Sequence, residues 1–184
     1  MNNDQVILVD ENDKELGLME KMEAHQRGFL HRAFSIFIFN PANEMLLQQR
    51  ALNKYHSSGL WSNTCCSHPW PGEDIGEAAL RRLNEEMGFT TPLKKIFDFV
   101  YTASFENGLK ENEFDHVFAG RYDGKIEVNH HEVKDWSFRP MEQIRQDLKE
   151  RPLQYTPWFR IAFPTIDNWL DKHSDQYWLL SSPL

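Results

Sequence analysis

The sequence predicts an α/β (α+β) fold in which a mixed β-sheet is sandwiched by helices in a single compact domain. Strand-like and helix-like segments alternate irregularly along the chain, which is typical of a mixed sheet with helices packed on it. The length of 184 residues lies in the range of one domain, and such a chain can bury a core of its own. No internal repeat, low-complexity segment or linker interrupts the pattern.

The first part of the chain predicts three strands and one helix. Apolar residues alternate around the centre of 5–11, which predicts a short strand, and 19–28 has the composition of a short helix that ends at Gly28. The segment 31–40 is rich in Phe and Ile and predicts a buried strand. After an Asn-Pro-Ala-Asn turn, residues 44–51 are expected to pair back as the second arm of a hairpin.

The middle of the chain predicts an irregular segment followed by a helix. Residues 52–72 mix Asn, Ser, Pro, Gly and His and are expected to be irregular; both cysteines lie here, and loops often carry functional side chains. In the helix that follows, Asp74 can cap the start and Gly88 can end it. One apolar stripe at i, i+4 spacing supports this helix, and it is formed by Ile75, Ala79, Leu83 and Met87.

The last part of the chain predicts three strands and two helices. The strands are expected at 93–105, 113–123 and 135–140, with a polar turn between the first two, and the helices at 141–151 and 156–173. Pro164 lies inside the second helix and is expected to kink or interrupt it, because proline lacks the backbone N–H.

The charge and the cysteine count exclude several classes of function. A net charge of −8 disfavours a general nucleic-acid surface, whereas a small anionic ligand needs only a few cations or a bridging metal. The adjacent Cys65 and Cys66 cannot form a disulfide framework. The acidic start has no signal-peptide pattern, and no run approaches the roughly 18 apolar residues of a membrane span. We therefore expect a soluble, cytoplasmic protein without nucleic-acid or membrane partners.

The stretch from Ser67 to Phe89 resembles the signature of the Nudix superfamily. Two positions depart from it. Ser67 stands where the signature has Gly, and Arg82 stands where it has the Glu that helps to hold the magnesium of the hydrolases. An arginine cannot ligate a metal, but it can bind a phosphate. The residues that match are Glu73, Arg81, Leu83, Glu85, Glu86, Gly88 and Phe89.

With its flanks, the same stretch is similar to type I isopentenyl-diphosphate delta-isomerase. The resemblance implies a Nudix-like fold over 1–184, with 1–29 and 152–184 as family-specific extensions. It implies an isomerase of isoprenoid biosynthesis that interconverts isopentenyl and dimethylallyl diphosphate through a carbocation-like intermediate. The matching pieces occur in the family's order: EKMEAH (20–25), LHRAFS (30–35), LLQQRALNK (46–54), GLWSNTCCSHP (59–69), RRLNEEMG (81–88), ENEFDHVF (111–118) and TPWF (156–159).

The resemblance assigns the proton transfers to Cys66 and Glu113, on opposite faces of the alkene. It makes Tyr101 the phenol that hydrogen-bonds the catalytic carboxylate. Cys66 rather than Cys65 occupies the Cys-x-His-Pro position, and Cys65 is expected to fill space. A thiol and a carboxyl can each exchange protons when their surroundings adjust the pKa, and which of them donates in each direction stays open.

The resemblance also implies two metal sites. On a strand, Glu111 and Glu113 project to one face, and two carboxylates facing one way need a cation or a proton between them. Glu86 and the backbone carbonyl of Cys66 match a site for Mg²⁺ shared with the diphosphate. The other site suits Mn²⁺ or Zn²⁺ and consists of His25, His31, His68, Glu111 and Glu113.

The expected substrate-binding residues combine cations with one aromatic ring. Trp158 matches the family's tryptophan near the alkene, and an indole face can stabilise a passing cation by roughly 2 kcal/mol. Trp61 is expected to pack beneath the site. The residues that match the diphosphate clamp are Lys21, Arg50, Lys54 and Arg82. Other side chains of these types are expected to be structural or at the surface: His56, His116, His130, His131, His173, Trp70, Trp136, Trp169 and Trp178.

Two other functions stay open at this point. A Mg²⁺-dependent Nudix pyrophosphohydrolase would share the signature helix, but it gives no role to Cys66, Trp158 or the Glu-Asn-Glu strand. A small metal-binding or interaction domain is less consistent with the sequence, because adjacent cysteines are poorly spaced to ligate one ion. The expected partner is a small diphosphate, the chain is expected to be a monomer or a homodimer, and the apolar segment 177–184 is expected to dock on the fold.

Overall fold

The computed structural model describes residues 4–173, so the predictions for Trp178 and for 177–184 lie outside the described residues. Within this range the chain forms one α+β domain of nine strands and four helices. Their order is β1 (Gln5–Val9), β2 (Glu15–Glu20), α1 (Lys21–Arg27), β3 (His31–Phe39), β4 (Met45–Arg50), β5 (Trp61–Ser62), β6 (Cys65–Ser67), α2 (Ile75–Met87), β7 (Leu93–Ser104), β8 (Lys110–Arg121), β9 (Val133–Arg139), α3 (Met141–Glu150) and α4 (Pro157–His173).

Every predicted strand and helix is present, with small shifts at the ends. The predicted hairpin forms only beside its turn, where Ile38 pairs with Leu46 and Phe39 with Met45. Beyond these pairs β4 takes β9 and β5 as its neighbours. The prediction that 52–72 is irregular is wrong for Cys65–Ser67, because these residues form β6 and pair with β3. The strands β2 and β5 were also not predicted.

The strand β3 is the centre of the sheet. It pairs in parallel with β8 over its whole length, from His31 opposite Glu113 to Phe39 opposite Arg121. On part of its length it also pairs antiparallel with β6, where Ser35 lies opposite Cys66. Since strand pairing aligns residues across neighbouring backbones, β3 sets the positions of the later segments that carry the predicted site residues.

The two faces of the sheet carry separate apolar cores. Alternate residues of β3 divide between them: Phe37 and Phe39 face the core that contains α3 and α4, while Phe34, Ile36 and Ile38 face the core beneath α2. This alternation follows from the two-residue period of a strand. The prediction of a sheet sandwiched by helices is therefore confirmed.

The helices α2 and α4 test the predictions about helix ends. The Asp74 side chain accepts from the backbone N–H groups of the first turn of α2, and Gly88 ends the helix in the left-handed region. Of the two effects expected at Pro164, an interruption is wrong, because α4 continues to His173, and a kink stays a prediction. One face of α4 buries Trp158, Phe159, Ala162, Phe163, Ile166 and Leu170. Burying these side chains contributes about 1.5–3 kcal/mol for each large one, which outweighs the roughly 3 kcal/mol cost of an internal proline.

No helix within residues 4–173 is long and apolar enough to cross a membrane.

Candidate active site

One cavity brings together residues from six segments of the fold. They come from α1, from β4 and the loop after it, from β6, from α2, from the β7–β8 hairpin and from the start of α4. His25 and His31 do not line the cavity but contact the Glu111 and Glu113 side chains that do. The predicted site residues that line it are Lys21, Arg50, Lys54, Cys66, His68, Arg82, Glu86, Tyr101, Glu111, Glu113 and Trp158.

The two cysteines lie on opposite faces of the sheet because they are neighbours on a strand. Cys65 is fully buried in the apolar core beneath α2, and it sits opposite Ile36 of β3. Cys66 packs against the other core and lines the cavity. The short strand β6, which the sequence analysis missed, is therefore what separates the roles of the two thiols.

The carboxylate of Glu113 lies opposite Tyr101 in the β7–β8 ladder. The Tyr101 hydroxyl donates to Glu113 Oε2 at 2.6 Å, and both side chains are buried. Asn112, which precedes Glu113, lies on the other side of β8, where its side-chain amide donates to the carbonyl of Gly28 at the end of α1. The predicted alternation of the Glu-Asn-Glu segment is therefore confirmed, and its polar middle residue ties β8 to the helix that carries His25.

Five side chains converge on one point next to the cavity. One ligand atom from each of them lies within 4.8 Å of all the others, and the five are His25, His31, His68, Glu111 and Glu113. His68 Nε2 lies 2.9 Å from Glu113 Oε1 and 3.2 Å from His31 Nε2. His25 Nε2 lies 3.2 Å from Glu111 Oε2. The predicted residues of the histidine site are thus brought together.

The orientation of the imidazoles fits a metal site. His25 Nδ1 is 2.6 Å from the carbonyl of Lys21, and His31 Nδ1 is 2.8 Å from the carbonyl of Phe29. A carbonyl only accepts, so each Nδ1 carries the hydrogen and each Nε2 presents a lone pair to the cluster. This backbone anchoring is the usual second layer around ligating histidines. His25 Nε2 and Glu111 Oε2 are buried with no well-aligned hydrogen bond, which also suits atoms that a divalent cation would join.

Burial and charge shift the protonation of the site in opposite directions. Burial raises the pKa of the Cys66 thiol to about 12, although the Arg50 cation opposes this. Burial lowers the pKa of His68 to about 4, against the effect of the Glu113 contact. Burial alone would raise the pKa of Glu113, but the contacts with His31 and His68 hold it well below its usual range. The site therefore combines a protonated thiol, a neutral imidazole and an ionised carboxylate at neutral pH.

The cavity lining also carries cations and one further buried acid, Glu86. Glu86 of α2 is buried and accepts from Gln48 Nε2 at 2.9 Å, and Arg82 forms an ion pair with it. Glu132, in the loop before β9, pairs with Lys54 and lies 3.7 Å from Arg82. Gln48 and Glu132 were not predicted, because neither carries a local sequence signal that separates it from ordinary polar residues.

The aromatic residues near the site divide into those that line it and those that support it. Trp158 is buried, and the Arg50 guanidinium lies 5.1 Å from the centre of its ring. Trp61 packs against the same core as Cys66 and is covered by the guanidinium of Arg139 at 3.9 Å, in line with its expected supporting position. Away from the cavity, Trp70 stacks on a guanidinium, whereas Trp136 and Trp169 pack against the cores.

The prediction that His56 is structural or at the surface is wrong. It is buried and lines the cavity, with its Nε2 at 2.6 Å from Glu111 Oε1. His116, by contrast, lies outside the cavity and pairs with Asp13 at 3.0 Å. The remaining histidines are exposed as expected, namely His130, His131 and His173.

A third buried carboxyl on β8 was also missed. Asp115 follows Glu113 at the two-residue spacing of a strand and accepts from the Ser35 hydroxyl at 2.7 Å. Burial and the nearby charge of Glu113 raise its pKa well above the usual range. The Glu-x-Glu-x-Asp spacing in the sequence would have indicated this alignment.

Comparison with known proteins shows the family of the chain. The NUDIX domain model matches residues 29–159. The chain is 58% identical over 163 residues to isopentenyl-diphosphate Delta-isomerase 1 of Aromatoleum aromaticum, which covers 89% of this chain and 92% of the relative. It is 49% identical to isopentenyl-diphosphate Delta-isomerase of Pectobacterium atrosepticum, over 94% of this chain and 97% of the relative.

Solved structures with low sequence identity share the fold. A MutT protein from Methanosarcina mazei Go1 matches with a TM-score of 0.62 at 21% identity, over 76% of this chain and 94% of that one. A C. elegans Ap4A hydrolase matches with a TM-score of 0.56 at 19% identity, over 77% of this chain and 98% of that one. From the matched domain and the close relatives together, the chain belongs to the Nudix domain family and, within it, to the isopentenyl-diphosphate Delta-isomerases.

Proposed function

We propose that this chain interconverts isopentenyl diphosphate and dimethylallyl diphosphate by adding a proton at C4 and removing one at C2. The observation that carries the proposal is that the Cys66 thiol and the Glu113 carboxylate line one cavity, which is also lined by four cationic side chains and a buried indole. Close relatives over most of the chain carry the name isopentenyl-diphosphate Delta-isomerase. Such an isomerase needs an acid, a base and protection of the intermediate from water.

Cys66 and Glu113 exchange the two protons with the substrate. One of them gives a proton to C4 as the other takes a proton from C2, so the substrate gains and loses one proton in each turnover. In the reverse direction the two groups exchange roles. The Tyr101 hydroxyl holds the Glu113 carboxylate by a 2.6 Å hydrogen bond. It also lies within reach to relay the proton that Glu113 exchanges.

The five-residue cluster His25, His31, His68, Glu111 and Glu113 would hold Mn²⁺ or Zn²⁺. A bound cation there would polarise the Glu113 carboxyl and so assist its proton exchange. A second cation, Mg²⁺, would be held by Glu86 and the Cys66 backbone carbonyl together with oxygens of the diphosphate. Glu86 on α2 and the pair Glu111 and Glu113 on β8 are all buried, so the fold itself orients their carboxylate oxygens.

The diphosphate binds to four cationic side chains of the cavity lining, namely Lys21, Arg50, Lys54 and Arg82. Short contacts from guanidinium and ammonium groups outweigh the acidic background of the chain. Binding this remote group positions the alkene between thiol and carboxylate. The face of Trp158 stabilises the positive charge that develops on the five-carbon unit, by roughly 2 kcal/mol in a dry site.

The chain segments outside the matched domain contribute to this site. Lys21 and His25 lie before residue 29, where the NUDIX match begins, and the match ends at residue 159. We propose that 1–29 and 152–184 are family-specific extensions around the Nudix core. We propose a monomer or a homodimer, and a monomer suffices for the activity because every proposed residue comes from one chain. We propose a cytoplasmic location, since the thiol of Cys66 has to stay reduced to exchange protons.

The alternative, Mg²⁺-dependent pyrophosphate hydrolysis, has less support. Arg82 occupies the place where the hydrolase signature has a metal-binding glutamate, and its guanidinium is paired with Glu85 and Glu86. The Ap4A hydrolase shares only the fold at 19% identity. Hydrolysis would also leave the Cys66 thiol, which lines the same cavity as Glu113, without a use.

The direct test is incorporation of deuterium from solvent. The wild-type chain, loaded with Mg²⁺ and Mn²⁺ in D₂O buffer, should place deuterium in both isopentenyl and dimethylallyl diphosphate. The Cys66→Ala variant should lose about 1000-fold or more of this rate, because general acid–base catalysis contributes about 10²–10⁴. The matched control Cys65→Ala should stay within about tenfold of wild type, since it only shortens a side chain on the opposite face.

Two results would reject the proposal. One is phosphate release from nucleoside diphosphate derivatives by the wild-type chain with no deuterium exchange into isopentenyl diphosphate. The other is full exchange activity in Cys66→Ala when Cys65→Ala is inactive, because that would put the wrong thiol in the site.

A further inference from the structure

His56 lies in the loop between β4 and β5 and belongs to none of the roles assigned above. Its side chain is only 3% exposed, and it lines the cavity without being one of the five converging groups. A buried imidazole at a cavity wall needs a defined contact, because burial of an unpartnered polar group is costly. The Glu111 carboxylate supplies a short contact: its Oε1 lies 2.6 Å from His56 Nε2, without the alignment of a hydrogen bond.

Each oxygen of Glu111 faces the Nε2 atom of one imidazole. His56 Nε2 lies 2.6 Å from Oε1, and His25 Nε2 lies 3.2 Å from Oε2. The last torsion of a glutamate side chain is broad, so one contact leaves the carboxylate free to turn. With His56 on one oxygen, the other is directed at the histidine cluster.

The ring of His56 is itself fixed from several sides. It stacks on Phe105 with ring centres 4.3 Å apart and planes inclined by 11°, and its edge faces Trp158 at 5.8 Å. The Arg50 guanidinium donates to the His56 carbonyl at 3.3 Å. The two ring contacts hold the imidazole and the Arg50 contact holds the backbone of His56, so the ring geometry does not depend on Glu111 alone.

We propose that His56 is a positioning residue, which orients Glu111 for binding a divalent cation in the five-residue cluster. This inference rests on the proposed function, because it takes Glu111 as a metal ligand. Groups that orient ligating side chains typically change metal affinity by about 10–100-fold when they are removed. His56 acts through Glu111 and contacts no ion itself.

The test measures metal affinity separately from activity. The full-length chain is stripped with a chelator and titrated with Zn²⁺ alone against a chromophoric competitor, for wild type, His56→Phe and His56→Gln. His56→Phe keeps the aromatic stack but loses Nε2, and we expect its affinity to fall by about 10–100-fold. His56→Gln can return an N–H near the same place, and we expect affinity within roughly fivefold of wild type.

Two further readouts separate positioning from other roles. The isomerase kcat of His56→Phe should be low at limiting Mn²⁺ and recover with excess Mn²⁺, which a merely structural defect would not do. The visible spectrum of the Co²⁺-loaded variant should keep the band pattern of wild type. A changed pattern would show that His56 is a ligand and would overturn the positioning role.

The matched control is His116→Phe, because His116 is also buried and paired with a carboxylate, Asp13 at 3.0 Å, but lies outside the cluster. We expect its Zn²⁺ affinity to equal that of wild type. If His56→Phe does not fold, His56→Ala with excess Zn²⁺ in the refolding buffer takes its place. Wild-type affinity in the folded His56 variant would overturn the inference, and so would a wild-type chain that binds no Zn²⁺.

Failure of the proposed function gives a different result. A wild-type chain that binds Zn²⁺ but exchanges no deuterium into isopentenyl diphosphate would reject the isomerase, while the comparison of affinities would still decide the role of His56.

Discussion

Glu73 offers a stability test of the helix that carries the family signature. Its carboxylate accepts from Arg81 Nε at 2.7 Å, from Arg81 Nη2 at 2.8 Å and from the backbone N–H of Trp70 at 2.8 Å. The Arg81 guanidinium also stacks on the Trp70 ring, 3.6 Å from its centre. These contacts fasten the loop after β6 to α2, and we predict that Glu73→Gln destabilises the fold.

The size of the effect follows from the contacts. A hydrogen bond to a charged group contributes about 1.5–3 kcal/mol, and the Gln amide can keep only one of the two bonds to Arg81 while its NH₂ faces the other donor. The Glu73 and Arg81 side chains are 16% and 18% exposed, so solvent weakens the pair only in part. We expect a loss of about 1.5–2 kcal/mol at pH 7, or about 4–6 °C in Tm for a chain of this size.

The same contact predicts a dependence on pH. The pKa of Glu73 is lowered from 4.5 mainly by the hydrogen bonds from Arg81. Burial acts in the opposite direction, and the hydrogen bond from the Trp70 N–H lowers the pKa further. A depressed carboxylate pKa contributes stability that is present above the unfolded-state value and is lost as pH falls through the folded-state value. The difference between wild type and Glu73→Gln should therefore be constant from pH 7 to about pH 5.5 and shrink toward pH 4.

Urea denaturation at pH 7, 5.5 and 4 measures this difference. Glu85→Gln is the control, because Glu85 contacts the same Arg81 at 3.3 Å but is 39% exposed. Such an exposed pair is expected to contribute about 0.5 kcal/mol or less. Equal losses in the two variants, or an undiminished Glu73→Gln loss at pH 4, would refute the reasoning.

Three further predictions address the site and the fold. Tyr101→Phe removes the hydroxyl that holds Glu113, so isomerase kcat should fall by about 10–100-fold with KM nearly unchanged in steady-state assays. Chelator dialysis should lower the calorimetric Tm by about 5–10 °C, because an ion present at about 100 times its Kd stabilises the fold by about 2.7 kcal/mol. The bound ion also relieves the repulsion between the Glu111 and Glu113 carboxylates. An unchanged Tm would count against the metal site. Gly88→Ala should cost about 2 kcal/mol or more in urea titrations, since φ is +76° and the new Cβ would overlap the Glu127 backbone; a smaller loss would contradict this.

The sequence was most informative where the signal is local. The signature helix has an apolar stripe, a capping Asp74 and a terminal Gly88, and all of these act within a few residues of each other. The placement of the Glu111 and Glu113 side chains on the same face of β8 likewise follows from the two-residue period of a strand. The residues of the cluster, however, come from distant segments, and only the family resemblance indicated that they meet.

The features that were mispredicted depend on non-local packing. A histidine after Tyr55 in a polar loop has the same local signal as a surface histidine, and His56 is buried because Phe105, from the β7–β8 hairpin, stacks on it. The strand β6 has three residues and exists only through its pairing with β3. Pro164 stays inside α4 because the buried face of that helix outweighs the local cost.

The position of β3 explains why the site tolerates so little change in register. His31 lies opposite Glu113 on one neighbouring strand, and Ser35 lies opposite Cys66 on another. Because side chains alternate along a strand, a slip of one residue in β8 would replace Glu113 by a neighbour from the other face, and a slip in β6 would replace Cys66 by Cys65. Either slip would also move apolar residues out of the two cores, so the burial that stabilises the fold is the same force that aligns the thiol with the carboxylate.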